Sequence, residues 1–372
     1  MRIAYLTEWS PYAETGVLKK LVNQVSTWRT LGVEAEVFAI CPLQDVKPAC
    51  NYLQFGRVIG TFNQSALEKY PFARLGYLNK IFSVPEVKRR LRTFRPDVIY
   101  YRQQGPWYPG LGSLLRVAPT VVEINIVQEE SKLWGFFLGV LDSNTKAFVQ
   151  SRDKGFVCMT DEIAEPFRKT GLSVAVIPNA LPLTPPAFFP PSGNKVPNLV
   201  MVATPLRTSA CWHGVDKLFD LAKALPEFQI HVVGYTASQY PEQQIPSNLH
   251  FHGVVVGDAL AAIYARCDIG IASVAAYRHN AKEGCALKTR EYLAYGLPVI
   301  LGYVEAEKPL READFMLQIG NYENNVKDSI GAIRQFVLMW MGRRVVHDFS
   351  FMSAATKERQ RLDFMGSVAR QR

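Results

Sequence analysis

Short apolar segments alternate with segments of helical character along both halves of this chain of 372 residues. In the first half, strands are predicted at residues 3–7, 34–40, 98–101, 120–124 and 147–160. A helix is predicted there at about residues 16–31. In the second half, strands are predicted at residues 198–203, 229–234, 250–252, 268–273, 298–302 and 315–319. Alternating strands and helices predict parallel sheets covered by helices, so we expect an α/β fold with two Rossmann-like units.

A proline-rich stretch lies between the two halves. Pro178, Asn179 and Ala180 are followed by six prolines, at positions 182, 185, 186, 190, 191 and 197. This composition is typical of an extended connection between domains. We therefore expect a first domain at residues 1–180 and a second domain at residues 195–353.

The composition is that of an ordinary globular protein, with 48% hydrophobic and 20% charged residues. No run of roughly 18 apolar residues is present, and the start MRIAYLTEWS lacks a charged leader and an apolar segment. We therefore expect a cytoplasmic protein. The six cysteines are scattered without zinc-type spacing, and no G-x-G-x-x-G follows the first strand of either half. No metal site is predicted, and no cofactor.

The net charge of +9 favours an anionic partner. A nucleotide or anionic lipid headgroups satisfy this condition, whereas no motif for nucleic acid is present. Part of the charge is concentrated on one predicted helix, at Lys88, Arg89, Arg90, Arg92 and the following Arg95. Two interpretations of this cluster stay open, a solvated helix face and a patch that docks on a membrane.

The stretch from Glu283 to Ile300 reads EGCALKTREYLAYGLPVI and places seven residues between the carboxylates of Glu283 and Glu291. Glu283 and Gly284 are predicted to lie in a loop, and residues 287–295 to form a helix that ends at the following Gly-Leu-Pro. The first turn of such a helix offers unpaired N–H groups and a positive dipole end, which suit a pyrophosphate. Glu291 can accept hydrogen bonds from a ribose, while Glu283 faces the group beyond the phosphates. The pattern predicts a nucleotide-sugar site.

This segment resembles the Glu-x7-Glu signature of the family 4 retaining glycosyltransferases with the GT-B fold, also described as glycosyl transferases group 1. The likeness includes the preceding strand, the glycine after the first glutamate and the Gly-x-Pro-Val tail. It implies a GT-B architecture, in which two Rossmann-like domains with doubly wound parallel sheets face a central cleft. It also implies that a last helix, at about residues 354–372, packs back onto the first domain.

The resemblance further implies residue roles in the second domain. Glu283 is assigned to catalysis and Glu291 to donor binding. The backbone and side chains of the loop and the first helical turn complete the donor site, and these residues are Gly284, Cys285, Ala286, Leu287 and Lys288. Relatives carry two basic residues that bind the diphosphate, and the candidates here are Arg207 and His213. A guanidinium keeps its charge at any pH, whereas a neutral imidazole gives a weaker clamp unless the phosphates raise its pKa.

Two positions of the first domain match the family only in part. Relatives have two glycines after the first strand, where this chain has Thr15 and Gly16, and Gly16 still permits close approach of the backbone. Asn125 stands where other members have histidine, so no general base is assigned there. Asn125 is interpreted as positioning the acceptor or sugar, with a structural role at the strand end left open.

The family implies a cytoplasmic hexosyltransferase that needs no metal and no cofactor. We expect a nucleotide sugar as donor, a glycan or lipid-linked acceptor, bacterial envelope polysaccharide synthesis, and peripheral contact with the inner face of the membrane through basic surface. One alternative is a nucleotide-sugar 2-epimerase, which needs acid-base groups, although no histidine precedes His213. The other is a protein that binds nucleotide sugar or a partner without turnover. Three departures from the family keep it open, namely Thr15, His213 and Ala180, which stands where relatives usually have glycine.

Overall fold

The computed structural model describes residues 1–12, 15–48, 52, 54–64, 75–103, 108–125, 154–169, 171–182, 189–203 and 212–371. The chain divides into two compact units. The first consists of Met1–Ile177 together with Ser353–Arg372, and the second of Pro178–Met352. Each unit has its own parallel sheet and its own hydrophobic core.

The first unit is built on a seven-stranded parallel sheet. Its strands are β1 (Arg2–Thr7), β2 (Glu34–Ile40), β3 (Gly56–Ile59), β4 (Val98–Arg102), β5 (Thr120–Ile124), β6 (Lys154–Cys158) and β7 (Ser173–Val176). They are arranged in the order β3-β2-β1-β4-β5-β6-β7. The helices described in its first 177 residues are α1 (Gly16–Thr30), α2 (Leu75–Phe94), α3 (Leu111–Leu114) and α4 (Asp161–Arg168).

The central strands form because their residues are apolar on both faces, as a sheet covered by helices requires. β4 and β5 are buried along their whole length. The sequence did not predict β3 and β7, which lie at the two ends of the sheet and are mostly half-buried or exposed. Of the strand predicted at residues 147–160, β6 confirms the part from Lys154 to Cys158, and residues 147–153 lie outside the described residues.

The second unit is built on a six-stranded parallel sheet. Its strands are β8 (Asn198–Val202), β9 (Gln229–Val233), β10 (Leu249–Phe251), β11 (Ile269–Ile271), β13 (Val299–Leu301) and β15 (Met316–Gln318), in the order β10-β9-β8-β11-β13-β15. All six predicted strands of this half are confirmed. A separate two-stranded sheet pairs β12 (Glu283–Gly284) with β14 (Val304–Glu305). The helices described here are α5 (Lys217–Ala224), α6 (Gly257–Arg266), α7 (Leu287–Ala294), α8 (Lys308–Arg311), α9 (Asn325–Asp328) and α10 (Ile330–Trp340).

The last helix, α11 (Ala354–Arg370), belongs to the first unit and packs against α1. The hydroxyl of Ser353 caps it by accepting from the N–H of Thr356 at 3.2 Å. Glu358 of α11 accepts a hydrogen bond from the indole of the buried Trp28 at 2.8 Å. Within the described residues, no helix has both the length and the apolar character that crossing a bilayer requires.

A buried charge network around Glu123 joins the elements of the first unit. Glu123, on β5, accepts from Lys20 of α1 at 2.8 Å and from Arg102 of β4 at 2.7 Å. Arg361 of α11 lies 4.0 Å from the same carboxylate. Burial alone raises the pKa of Glu123, but Lys20, Arg102 and Arg361 hold it well below its usual range. The carboxylate is therefore ionised and neutralises Lys20 and Arg102, two buried cations that pair with no other carboxylate among the described residues.

Glu123→Gln should destabilise the first unit by about 3 kcal/mol, because it leaves buried cations without their partner. The matched control is Glu34→Gln, since Glu34 is exposed and its ion pair with Arg2, at 3.0 Å, lies at the surface. That variant should lose less than about 1 kcal/mol. Urea unfolding followed by circular dichroism measures both. Equal losses in the two variants would contradict the structural role of Glu123.

The pH dependence follows from the lowered pKa of Glu123. Its stabilising contribution is complete above the pKa of glutamate in the unfolded chain, about 4.3, and is lost as the pH falls toward the lower folded-state value. The difference in melting temperature between the native protein and Glu123→Gln should therefore narrow on acidification below this pH. A difference that is constant from neutral to acidic pH would show that Glu123 is not ionised in the folded protein.

Candidate active site

The loops that follow β8 and β11 lie side by side at the carboxyl edge of the second sheet. The strand order reverses here, because β8 pairs with β9 on one side and with β11 on the other. The N–H of Val274 bonds to the carbonyl of His213 at 3.1 Å, and the N–H of Ala275 to that of Trp212 at 3.2 Å. Ligands of open α/β sheets bind at such reversals, outside the carboxyl ends of the strands.

His213 and Lys288 meet at this edge. The Lys288 ammonium lies 3.0 Å from Nδ1 of His213, and the hydroxyl of Ser273 lies 3.4 Å from the same nitrogen. Burial, followed by the charges of Lys288 and His279, lowers the pKa of His213 to about 2. The imidazole is therefore neutral at ordinary pH and accepts a hydrogen bond from Lys288. Of the two residues, Lys288 supplies the positive charge.

Helix α7 begins beside this pair. Ala286 is its N-cap and Leu287 its first residue, and no side chain caps the helix or places a negative charge in its first turn. The backbone N–H groups and the positive dipole end are therefore not neutralised from within the helix. Lys288, in the same turn, adds a full positive charge. The arrangement suits a ligand that carries two or more negative charges.

Glu283 and Gly284 form the strand β12, so the expectation that they lie in a loop is wrong. They pair in parallel register with Val304 and Glu305 of β14, and this pairing fixes the backbone of Glu283. The carboxylate of Glu283 lies 3.3 Å from the guanidinium of Arg311, with its side chain only 17% exposed. Arg311 is itself held by a 2.7 Å hydrogen bond to the carbonyl of Glu305. The carboxylate of Glu283 is thus positioned by β14, which fixes its backbone, and by Arg311 of α8.

The ring of Tyr303 leaves room only for a glycine at position 284. A Cβ atom at position 284 would lie 2.6 Å from Cδ2 of that ring, well inside van der Waals contact. The ring has little room to move, because Tyr303 is buried and its hydroxyl lies 2.9 Å from the hydroxyl of Thr289 on α7. The glycine next to Glu283 is therefore a packing requirement of the site.

Arg290 anchors the loop before α7. Its fully buried guanidinium binds both oxygens of Glu305, at 2.6 and 3.0 Å, and donates to the carbonyl of Asn179 at 3.0 Å. It also lies 3.0 Å from Sγ of Cys285. The amide nitrogen of the Asn179 side chain bonds to the carbonyl of Cys285 at 2.6 Å. These contacts hold the backbone between Glu283 and α7 in one conformation.

Glu291 lies on α7 and is positioned by Tyr264 of α6. The phenol of Tyr264 donates to Oε2 of Glu291 at 2.9 Å. Burial and the neighbouring carboxylate raise the pKa of Tyr264 well above its usual range, so the phenol keeps its proton. Oε1 of Glu291 makes no hydrogen bond within the described part of the chain. The half-buried carboxylate therefore keeps one oriented oxygen for hydroxyl groups of a ligand.

In the first unit, the hydroxyl of Thr15 caps α1, whose first residue is the exposed Gly16. Thr15 accepts from the N–H of Leu18 at 3.1 Å and from the indole N–H of Trp9 at 3.0 Å. A threonine in place of the family's glycine therefore has a structural reason. Gly16 leaves the start of the helix without a side chain at the carboxyl edge of the first sheet.

Asn125 follows β5 at the same edge. Its carbonyl oxygen accepts a hydrogen bond from Lys20 at 3.2 Å. Its amide nitrogen is buried and has no hydrogen-bond partner among the described residues. Burial lowers the pKa of Lys20 to about 8, although Glu123 opposes this shift. The oriented amide leaves the donors of its NH2 group available to a ligand oxygen.

The remaining predicted site residue, Arg207, lies outside the described residues. Sequence reasoning missed Lys20, Tyr264 and Arg290. Lys20 had a detectable signal, because it shares one face of α1 with the buried Gln24 and Thr27. The contacts of Tyr264 and Arg290 depend on elements that are distant in sequence, and no local pattern indicates them.

Comparison with known proteins identifies the second unit. Residues 199–333 match the family described as glycosyl transferases group 1. The match covers most of this unit, which we refer to as the group 1 domain. The group 1 domain includes the described candidate residues His213, Glu283, Lys288 and Glu291. No curated protein matches the chain.

Several solved structures are similar to the whole chain. The lipopolysaccharide outer core galactosyltransferase WaaB is 14% identical with a TM-score of 0.65, and 99% of each chain is covered. WaaG, a glycosyltransferase involved in lipopolysaccharide biosynthesis, is 14% identical with a TM-score of 0.61, covering 99% of this chain and 98% of that chain. Alr3699/HepE of Anabaena, in complex with UDP-glucose, is 14% identical with a TM-score of 0.60, covering 99% and 100%. These similarities confirm the predicted GT-B fold of two parallel-sheet α/β domains.

Gly284→Ala should destabilise the group 1 domain by about 1–3 kcal/mol, because the added methyl group displaces the buried ring of Tyr303. The control is Gly331→Ala on α10, where nothing lies within 4 Å of an added Cβ. That variant should be neutral or stabilising by up to about 1 kcal/mol, since alanine favours a helix. Urea unfolding measures both variants. If Gly284→Ala is as stable as Gly331→Ala, the packing requirement is refuted.

Tyr264→Phe should weaken binding of a nucleoside diphosphate about fivefold to tenfold, because it removes the hydrogen bond that orients Glu291. The phenyl ring keeps the buried packing. Calorimetric titration with the ribonucleotide and with its 2′,3′-dideoxy analogue tests the assignment. The dideoxy analogue should lose little affinity, since it lacks the hydroxyls that Glu291 is expected to bind. Equal losses for both nucleotides would mean that Tyr264 acts on the fold and not through Glu291.

Proposed function

We propose that this protein is a retaining glycosyltransferase, which moves a hexose or a related sugar from a nucleoside diphosphate sugar to a glycan or lipid-linked acceptor. The observation that carries the proposal is the grouping of Glu283, Lys288 and Glu291 around the start of α7 in a group 1 domain. Two oriented carboxylates flank a site for negative charge. A nucleotide sugar presents the complementary groups, namely a sugar, a diphosphate and a ribose.

In this proposal the diphosphate binds at the first turn of α7. The backbone from Gly284 to Leu287 donates hydrogen bonds, and the ammonium of Lys288 pairs with the phosphate charge. Glu291 accepts from the ribose hydroxyls, and Glu283 accepts from hydroxyls of the transferred sugar. Arg207 adds a guanidinium to the diphosphate. His213 contributes by holding Lys288, because its own pKa leaves it neutral.

The reaction exchanges one bond at the anomeric carbon. The bond from this carbon to the β-phosphate oxygen breaks, and a bond to the acceptor oxygen forms on the same face of the sugar. The acceptor proton passes to the departing phosphate oxygen, so that no side chain acts as general base. Positive charge at the start of α7 stabilises the phosphate as it leaves. We propose that transfer needs neither a metal ion nor a cofactor.

The first unit is assigned to the acceptor. Asn125, whose amide nitrogen has no partner among the described residues, donates to an oxygen of the acceptor or of the sugar. Lys20 fixes the other end of this amide. Gly16 allows the acceptor or the donor phosphates to approach the backbone at the start of α1. In this proposal the first unit acts by orienting the reacting groups.

The named ligands of similar structures support this choice of donor. HepE is in complex with UDP-glucose, and the pneumococcal O-GlcNAc transferase GtfA is in complex with UDP and GlcNAc. WaaB and WaaG are glycosyltransferases of the lipopolysaccharide. We propose by analogy a role in bacterial envelope polysaccharide synthesis, carried out in the cytoplasm at the inner face of the membrane.

Glu283→Gln should reduce sugar transfer at least about a hundredfold, because the contact that positions the transferred sugar is lost while the shape of the side chain is kept. The control is Glu242→Gln, an exposed carboxylate of the same unit that is not placed in the site. The assay measures labelled sugar moved from UDP-, GDP-, ADP- or dTDP-linked donors into a bacterial membrane extract. Melting temperatures of both variants exclude a loss of fold.

Four outcomes separate the candidate functions. Transfer by the native protein that Glu283→Gln abolishes supports the proposed reaction, and transfer that survives the substitution contradicts the role of Glu283. Donor binding without transfer or other turnover would make the protein a nucleotide-sugar binding protein. Recovery of an epimerised nucleotide sugar would make it a 2-epimerase.

A further inference from the structure

A groove of about 800 Å³ lies at the amino edge of the first sheet, where β1 begins and α2 ends. Its lining includes five cationic side chains, those of Arg2, Lys88, Arg89, Arg92 and Arg95. None of the described residues that line it carries a carboxylate. Gly16 and Asn125 lie at the opposite, carboxyl edge of the same sheet, and five-residue strands set the two edges about 17 Å apart. The groove is thus separate from the candidate active site residues of this unit.

Most of the positive charge in the groove has no counterion. Arg2 pairs with Glu34 at 3.0 Å, and Arg89 pairs with Glu86 at 2.7 Å. Lys88, Arg92 and Arg95 form no ion pair with any described residue. Three like charges around one groove repel one another, and an anionic ligand relieves that repulsion.

An exposed apolar surface continues from the groove along α2. Residues 78, 82, 85, 89 and 92 follow one another at steps of four and three, so they share one face of the helix. Leu78 and Phe82 are 37% and 56% exposed, and Pro85, Arg89 and Arg92 are exposed as well. The face is therefore apolar over its first half and basic over its second half.

We propose that this groove and the exposed face of α2 dock the protein on an anionic lipid bilayer. The lipid phosphates occupy the groove between Arg92, Arg95 and Lys88, and Leu78 and Phe82 enter the interfacial layer. A soluble anion would neutralise the cations. It does not explain why the ring of Phe82, on the same helix face, is more than half exposed. An apolar region that adjoins a basic region on one surface matches the two layers of a membrane interface. This inference goes beyond sugar transfer and stands on residues that the transfer reaction does not use.

The test is co-sedimentation of the full chain with vesicles, one set of phosphatidylcholine alone and one with about a third of phosphatidylglycerol. The native protein should bind the anionic vesicles and not the neutral ones, and added salt should weaken binding. The groove variant, Lys88→Gln with Arg92→Gln, should lose about tenfold or more in affinity. The matched control, Lys47→Gln with Arg116→Gln, removes two charges from exposed positions of the same unit and should bind like the native protein.

A second arm distinguishes a bilayer from a soluble phosphate compound. Phe82→Ser should weaken vesicle binding and leave the affinity for inorganic tripolyphosphate unchanged. Loss of tripolyphosphate binding in the groove variant, without any vesicle binding by the native protein, would assign the groove to a soluble anion and overturn the proposal. So would equal vesicle binding by the groove and control variants. Nucleotide affinity, measured on the same variants, should not change, which separates this result from the proposed transfer function.

Discussion

The buried ion pair between Arg290 and Glu305 is the interaction on which the candidate donor site depends. Both side chains are about 1% exposed, so neither charge is tolerated without the other. The pair joins α7 to β14, and the remaining hydrogen bonds of Arg290 tie the Asn179 carbonyl and the Cys285 thiol to the same point. Glu283, Lys288 and Glu291 come from segments that meet around this anchor. The relative positions of these three residues therefore depend on the buried charge of Arg290, which Glu305 neutralises.

Burial also decides which side chain carries charge at the site. The family places a basic residue where this chain has His213, and a histidine on an exposed loop would titrate near neutral pH. Here burial and the adjacent Lys288 keep the ring neutral, and its Nδ1 accepts from that lysine. The cation is thus presented from α7 and not from the loop after β8. The departure from the family pattern changes the source of the positive charge and does not remove it.

The sequence predicts the framework of this protein better than it predicts its contacts. Strands such as β4, β5 and β8 are apolar runs whose pattern is local, and they appear where the alternation places them. The edge strands β3 and β7 were missed because an edge needs less burial, and β12 was missed because two residues carry no periodicity. The Glu283 to Ile300 motif indicates the site because its glycine and helix start are local requirements. Tyr264, Arg290 and Lys20 act through partners 15 to 111 residues away, and the neutral state of His213 depends on the packing around it.

The most direct test of the account is calorimetric binding of UDP, GDP, ADP and dTDP to the native protein and to Glu291→Ala. One of these nucleotides should bind selectively with micromolar affinity, and the substitution should weaken this binding because the ribose loses its acceptor. Absence of binding for all four, or affinities that Glu291→Ala leaves unchanged, would contradict a nucleotide site at the start of α7.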